Sequence, residues 1–255
     1  MDTITVSGIV LSAMTVGETD RRLVLLSKEQ GRISVFARGA CRPKSTLTAV
    51  SRPFVTGEFT LIPRRDSYSL QSAAVRDYFD SLTGDFDQMA YGFYFLELAG
   101  CFSAEEAGDA NLLNLLYVTL KALERQKMPR PLIRLVCEYR MFVTAGEYPQ
   151  VFTCSRCQKP LTEGWFSMQS RSAVCRECGR EGDGEYLSPS AVYALQYILT
   201  APLGKLYSFR LDRETYDPLA RILRHWKKRY LDRELKSEAL LKTVEGTELT
   251  DFLQV

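Results

Sequence analysis

The chain has 255 residues, enough for one large domain or two to three small ones. Its 45% hydrophobic and 25% charged residues exclude a wholly disordered chain, a collagen-like repeat and a disulfide miniprotein. Lys and Arg total 33 against 31 Asp and Glu, a net charge of +2 that says nothing of partners until it is located along the chain.

No stretch is expected to span a membrane. The greasiest, residues 88–104, is interrupted by Glu97, well short of the roughly 20 apolar residues a bilayer requires. Residues 1–11 lack the basic and apolar regions of a secretory leader. Seven cysteines, four of them in two CxxC pairs, fit a reducing cytoplasmic setting with a bound metal. A lone histidine, His225, supports no Ser-His or Cys-His relay, and motifs for phosphate loops, dinucleotides, zinc proteases and nucleophile elbows are missing. These features point to a binding protein rather than an enzyme.

The first 80 residues read as β. Alternating or β-branched runs occur at 4–11, 22–27, 33–37, 54–62 and 68–75, punctuated by Gly and Pro. Five short strands with a longer Pro-containing connection at 40–51 suit a small barrel of OB-fold type, whose closure removes exposed edges. Between residues 21 and 65, ten basic side chains face two acidic ones, a net of +8. That excess is beyond ordinary surface mixing. Arg21, Arg22, Arg32, Arg38, Arg42 and Lys44 are therefore the expected phosphate contacts.

The middle reads as helical. Leu112, Leu116, Leu120 and Leu123 mark one helix, and Leu132, Leu135, Val136, Tyr139 and Phe142 another, with Pro131 in its first turn. The aromatics Tyr91, Phe93, Tyr94 and Phe95 are read as core rather than as a stacking platform. Asp85 and Asp87 suit a helix start and not a metal site. Residues 81–150 carry six basic and nine acidic side chains, a net of −3.

Cys154-x-x-Cys157 and Cys175-x-x-Cys178 lie 17 residues apart, room for a hairpin that brings both pairs to one ion. Four thiolates predict a structural zinc, with no open position for water or substrate. Cys41, Cys101 and Cys137 are left as packing or surface residues. Beyond the module, Ser188-Pro189 and Asp217-Pro218 each read as a cap followed by the first helical residue. The second of these helices places Leu219, Ile222, Leu223, Trp226 and Tyr230 on one side. Arg221, Arg224 and Lys228 fall on the other, a possible second DNA surface within a run, 221–236, of seven basic and two acidic side chains.

A basic small barrel, a helical middle and a four-cysteine module before C-terminal helices, in that order, resemble the RecO family of bacterial DNA repair proteins. The resemblance is carried by Gly8-Ile-Val-Leu11, Gly17-Glu-Thr-Asp20, Gly31-Arg-Ile-Ser-Val-Phe-Ala-Arg-Gly39, Lys44-Ser45, Tyr148-Pro149, the two cysteine pairs and Leu187-Ser188. One departure is Glu147, which separates Gly146 from Tyr148 where the family more often has Gly-Tyr directly. The cysteines mark a zinc-binding branch, because many members lack them. The resemblance implies an α+β multidomain fold, an N-terminal OB-fold β-barrel followed by an α-helical domain with an inserted four-cysteine zinc module. The expected divisions are 1–80, 81–150, 151–186, 187–242 and a loose tail at 243–255.

The resemblance also implies binding of single- and double-stranded DNA and annealing of complementary strands in the bacterial cytoplasm, at the nucleoid. It implies action with RecR to load recombinase on strands covered by single-stranded-DNA-binding protein, and no nucleotide cofactor. The acidic tail of that covering protein is expected in a groove edged by Arg125, Lys127, Arg130 and Arg134 and lined by Leu132 or Leu135. An RNA-binding OB/zinc-ribbon protein and, more weakly, a zinc-dependent nuclease are the alternatives.

Overall fold

The computed structural model describes residues 3–105, 107–231 and 234–252. Strands β1 (Ile4–Val16), β2 (Asp20–Ser27), β3 (Gly31–Ala37), β4 (Thr56–Pro63) and β5 (Tyr68–Asp77) close into an OB-like barrel in the order β1-β2-β3-β5-β4. The alternation that marks them in sequence is the alternation of burial. On β3, Ile33, Val35 and Ala37 are buried in the barrel core while Arg32, Ser34 and Phe36 lie on the other face, half-buried. Leu23 and Leu25 of β2 join the same core, with Val6, Val10, Phe59 and Leu61. Closure is narrow, since β3 meets β5 through only Val35–Tyr68 and Phe36–Ser69.

β1 runs five residues beyond the expected end at Leu11. Past a register shift between Val10 and Ser12 it continues along β2, itself paired with β3 on its other side, as far as Val16 opposite Asp20. Beyond Ala13, which packs against the core, β1 turns no residue inward (Met14 is 60% exposed), so hydrophobic periodicity did not mark it. The long connection after β3 contains α1 (Leu47–Val50).

After the barrel come α2 (Asp80–Thr83), α3 (Phe86–Phe102), α4 (Ala110–Arg125) and α5 (Arg130–Thr144). Compactness divides the chain into Met1–Glu124 and Arg125–Val255. Helices α3 and α4 therefore go with the barrel, not with α5. The α3 aromatics explain part of this: Phe93 packs on Phe54 at 5.0 Å between ring centres, and Tyr91, Tyr94 and Phe95 are fully buried. They are core, as their spacing suggested.

The second unit adds a three-stranded sheet of β6 (Gly164–Ser167), β7 (Ser172–Cys175) and β8 (Glu185–Leu187), ordered β7-β6-β8. It ends with α6 (Pro189–Thr200), α7 (Arg213–Tyr230) and α8 (Lys236–Phe252). Ser188 caps α6 as expected, accepting the Ala191 N–H. The start expected at Asp217-Pro218 is wrong. Asp212 caps α7 instead, accepting the Thr215 N–H, and Pro218 sits inside the helix. As the sixth helical residue it has no N–H for the Glu214 carbonyl, and the helix continues past it at the cost of that bond.

The loose tail expected from residue 243 is likewise corrected as far as Phe252. Helix α8 continues through it, with Leu241 and Val244 buried and Glu245 paired to Arg134. Residues 253–255 of that tail lie outside the described residues. Among those described, no helix is long and apolar enough to cross a membrane.

Candidate nucleic-acid interface and metal centre

The connection after β3 is held at its base by the β1–β2 turn. Gly39 adopts φ +69°, a conformation that suits glycine, and gives its N–H to Asp20 Oδ1 at 2.8 Å. The Cys41 N–H reaches the Thr19 carbonyl at 2.8 Å, and Thr48 Oγ1 donates to the Ala40 carbonyl at 2.6 Å. The Gly39 N–H holds the Asp20 carboxyl below its ordinary pKa, helped by the Thr19 hydroxyl and, less, by Arg38 and Arg42. From this anchored base Arg38, Arg42 and Lys44 project exposed, and no side chain of the three makes a hydrogen bond or ion pair among the described residues. Lys44 itself stands at φ +64°, where side chains other than glycine are uncommon.

The other three cations expected here are engaged. Arg21 Nη1 donates to the Thr48 carbonyl at 3.0 Å and to Ser51 Oγ at 3.1 Å, tying β2 to α1. Arg22 remains exposed, with only Nε committed to Ser34 Oγ at 3.0 Å. Arg32 donates to the Gly100 carbonyl at 2.7 Å and pairs with Glu105 at 2.9 Å, a structural clamp between β3 and the end of α3. The side chains of Arg38, Arg42 and Lys44 in the loop thus lack a hydrogen bond or ion pair among the described residues, whereas Arg21 and Arg32 hold the fold and Arg52 pairs with Asp80 at 3.3 Å.

The four cysteines converge. Each pair sits on a tight knuckle: Gln158, in the left-handed region, returns its N–H to the Cys154 carbonyl, and Gly179 returns its N–H to the Cys175 carbonyl. The β6–β7 hairpin between them closes the distance, so all four Sγ atoms lie within 4.8 Å of one another. A tetrahedron with metal–sulfur arms of about 2.3 Å has edges of about 3.8 Å. The Cys157–Cys175 Sγ separation is 3.8 Å. The donor set fits a divalent metal.

The charge of the cluster fits one too. Burial opposes ionisation of Cys154, yet the N–H groups of Cys157, Cys175 and Arg156 outweigh it and bring its thiol to about 6. Cys178 is pushed to about 12, chiefly by the Cys157 and Cys175 thiols beside it and then by burial. Four such thiols cannot all ionise together without a cation among them.

The remaining expected sites are only partly free. Arg221 makes two bonds to Glu185, at 2.7 and 3.0 Å, whereas Arg224 and Lys228 are exposed and unpaired among the described residues. Two residues of the 221–236 run, 232 and 233, lie outside the described ones. The tail groove is corrected. Leu132 and Leu135 are buried in the core, and Arg134 is bound into a network with Glu138, Glu238 and Glu245. Lys227 completes that network, 2.8 Å from Glu238. Arg125 and Lys127 are exposed, and Arg130 is half-buried.

Two clefts escaped the sequence reading. One, of about 440 Å³, lies on the first unit and includes Lys28, Arg76 and Tyr117, with the Arg76 guanidinium 4.7 Å from the Tyr117 ring centre. The other, of about 140 Å³, is bordered by α7 and the β6–β7 hairpin. Its signal was present in Arg224-His-Trp-Lys-Lys-Arg-Tyr230, a basic run with aromatics interleaved.

Two family models match, "Recombination protein O N terminal" over residues 1–79 and "Recombination protein O C terminal" over residues 83–239. Relatives named DNA repair protein RecO are similar over nearly their full length. The one from Desulforudis audaxviator is 32% identical over 92% of this chain and 94% of its own. That from Caldicellulosiruptor saccharolyticus is 30% identical over 92% and 96%, and that from Acetivibrio thermocellus 28% over 96% and 98%. With both family models covering the barrel and the helical part in turn, the chain belongs to the RecO family of DNA repair proteins.

Proposed function

We propose that the chain binds single- and double-stranded DNA, anneals complementary strands, and acts with RecR to place recombinase on strands covered by single-stranded-DNA-binding protein. The observation that carries this reading is the anchored loop from which the side chains of Arg38, Arg42 and Lys44 project exposed, with no hydrogen bond or ion pair among the described residues. Complementary strands repel through their phosphates, and each contact from a loop cation releases counterions and screens that repulsion. Arg22 extends the barrel surface, while Arg224 and Lys228 supply a second one on the other unit. Annealing then needs no nucleotide hydrolysis, because pairing of the strands is itself downhill once they are held together.

One zinc ion held by Cys154, Cys157, Cys175 and Cys178 is the metal that suits four thiolates best. Bound there it cross-links the two knuckles, and four protein ligands give it no open position for chemistry. The covering protein's acidic tail would meet the exposed Arg125 and Lys127 by charge alone, since Arg134, Leu132 and Leu135 are occupied inside the unit. Work on chromosomal strands places the protein in the cytoplasm at the nucleoid.

The test is annealing of complementary oligonucleotides, naked and protein-covered, with no ATP present. Annealing of both, lost when Arg38, Arg42 and Lys44 are changed to Ala, is the expected result. No annealing of naked strands refutes the reading, and equal binding of RNA of the same length moves it toward RNA.

A further inference from the structure

The cleft bordered by α7 and the β6–β7 hairpin measures about 140 Å³, well below the roughly 300–1,000 Å³ of pockets that enclose a whole small ligand. It has room for one ring of a larger molecule. Trp226 and Tyr230 supply aromatic surface, and Met168 an apolar side. Trp226 is nearly buried, held by Phe142 and Phe166, whereas Tyr230 is 40% exposed. Tyr230 meets Phe142 edge-to-face at 88°, with the ring centres 5.2 Å apart.

The rim carries Arg171 and Arg229 and one carboxylate, Glu147, which is committed to Arg171. Arg171 is held at 2.7 Å by Glu147, while Arg229 is exposed and makes no hydrogen bond or ion pair among the described residues. His225 and Arg229 occupy one row of α7, four residues apart. Arg224 and Lys228, exposed and equally unpaired, form the row beside it. A one-ring slot that continues into repeated cations has the chemistry of a phosphodiester strand with one base turned in. An extended peptide would want backbone partners or pockets for successive side chains, and this slot offers a single ring site.

We propose that this cleft takes one base of a single strand, stacked on Tyr230, with the flanking phosphates on Arg229 and the Arg224–Lys228 row. The inference rests on the DNA-binding reading above and adds a base-contacting site to the second unit.

The experiment compares, for the full chain, affinity for an oligothymidylate and for an abasic strand with the same number of phosphates. Wild type should favour the oligothymidylate. Tyr230→Phe should keep that preference, and Tyr230→Leu should lose about five-fold or more on the oligothymidylate alone. Arg229→Ala should weaken both strands alike. The inference is overturned if Tyr230→Leu changes neither affinity, or if it weakens both strands equally through lost packing on Phe142. Binding of an acidic peptide that is abolished by Arg229→Ala, with both strands unaffected, would also overturn it. Failure of wild type to bind either strand would remove the DNA-binding reading as well. Salt-sensitive binding without base preference would remove only the cleft.

Discussion

Arg38, Arg42 and Lys44 stand exposed at the edge of the barrel without partners, whereas in the cysteine module every cation faces a carboxylate. Arg156 and Arg180 face Asp183, Lys159 faces Glu177, Arg171 faces Glu147, and Arg176 faces Glu163. Over residues 151–186 the basic and acidic side chains number five each, and Glu185 is held by Arg221. The barrel loop therefore presents charge that the fold offsets only weakly, through Asp20, and that an outside anion can satisfy. The module satisfies its own and concentrates the unmet negative charge at its thiols. Cation counts treat the two alike; partners separate them.

The largest effect should come from breaking the thiol cluster. Cys157→Ser should drop metal content from about one equivalent to none and melt the module, because much of the folding free energy of such knuckles is metal binding. Thermal unfolding followed by calorimetry should show the second unit weakened and the barrel's transition kept. DNA affinity should fall by no more than the cleft bordered by the β6–β7 hairpin contributes, with the barrel's share of the salt slope kept. A loss as large as that from the barrel loop would mean that the module, despite its balanced charge, carries the strand.

Next in size is the barrel itself. Arg38, Arg42 and Lys44 changed together to Ala should lower the slope of log affinity against log salt by about 3, one for each phosphate contact. Arg32→Ala supplies the contrast. Its bond to the Gly100 carbonyl and its pair with Glu105 contribute roughly 1–2 kcal/mol of stability, less than a buried charged bond because Arg32 is partly exposed. Denaturant midpoints should fall for Arg32→Ala with the salt slope unchanged. The reverse pattern would place Arg32 on the strand and make the loop a solvated surface.

A smaller effect follows from the thiols. Cys154 ionises near 6, so at neutral pH it is ready to bind a cation, whereas Cys178 at about 12 must give up its proton to the metal. Metal binding should therefore release protons at neutral pH. As pH falls through about 6, Cys154 takes its proton back and apparent zinc affinity should decline more steeply. Titration of metal-free protein against a chromogenic chelator at several pH values would show it. An affinity flat from pH 8 to 5 would mean that the cluster is not the metal site.

The parts legible in the sequence are those fixed by local pattern. Leu23 and Leu25, or Ile33, Val35 and Ala37, reveal a buried strand face because the strand period is two wherever the strand runs. The cysteine spacing reveals the module because knuckle geometry is local. Tertiary partners are not local. Nothing near Arg32 indicates that it will bond a carbonyl 68 residues away, or near Arg134 that Glu238 and Glu245 will claim it. Pattern placed these cations on a surface, and packing took them off it. The start of α7 was missed for the opposite reason. Two capping signals compete there, and Asp212 with Thr215 gains the helix an extra turn that Pro218 does not prevent.

The finest test is a single lysine from each region. Lys159 lies 3.2 Å from Glu177, with both side chains largely in water, so the pair adds little to the fold. Lys159→Ala should leave the unfolding midpoint where it is. It should leave the salt slope of DNA binding there too, since Glu177 already neutralises the charge a phosphate would seek. Lys44→Ala is equally mild to the barrel's core but should lower the slope by about 1. It should also leave stability unharmed, because the exposed Lys44 side chain gives up no hydrogen bond or ion pair among the described residues. If Lys159→Ala lowers the slope as Lys44→Ala does, a neighbouring carboxylate does not withdraw a lysine from the strand. Charge density alone would then decide where DNA lies.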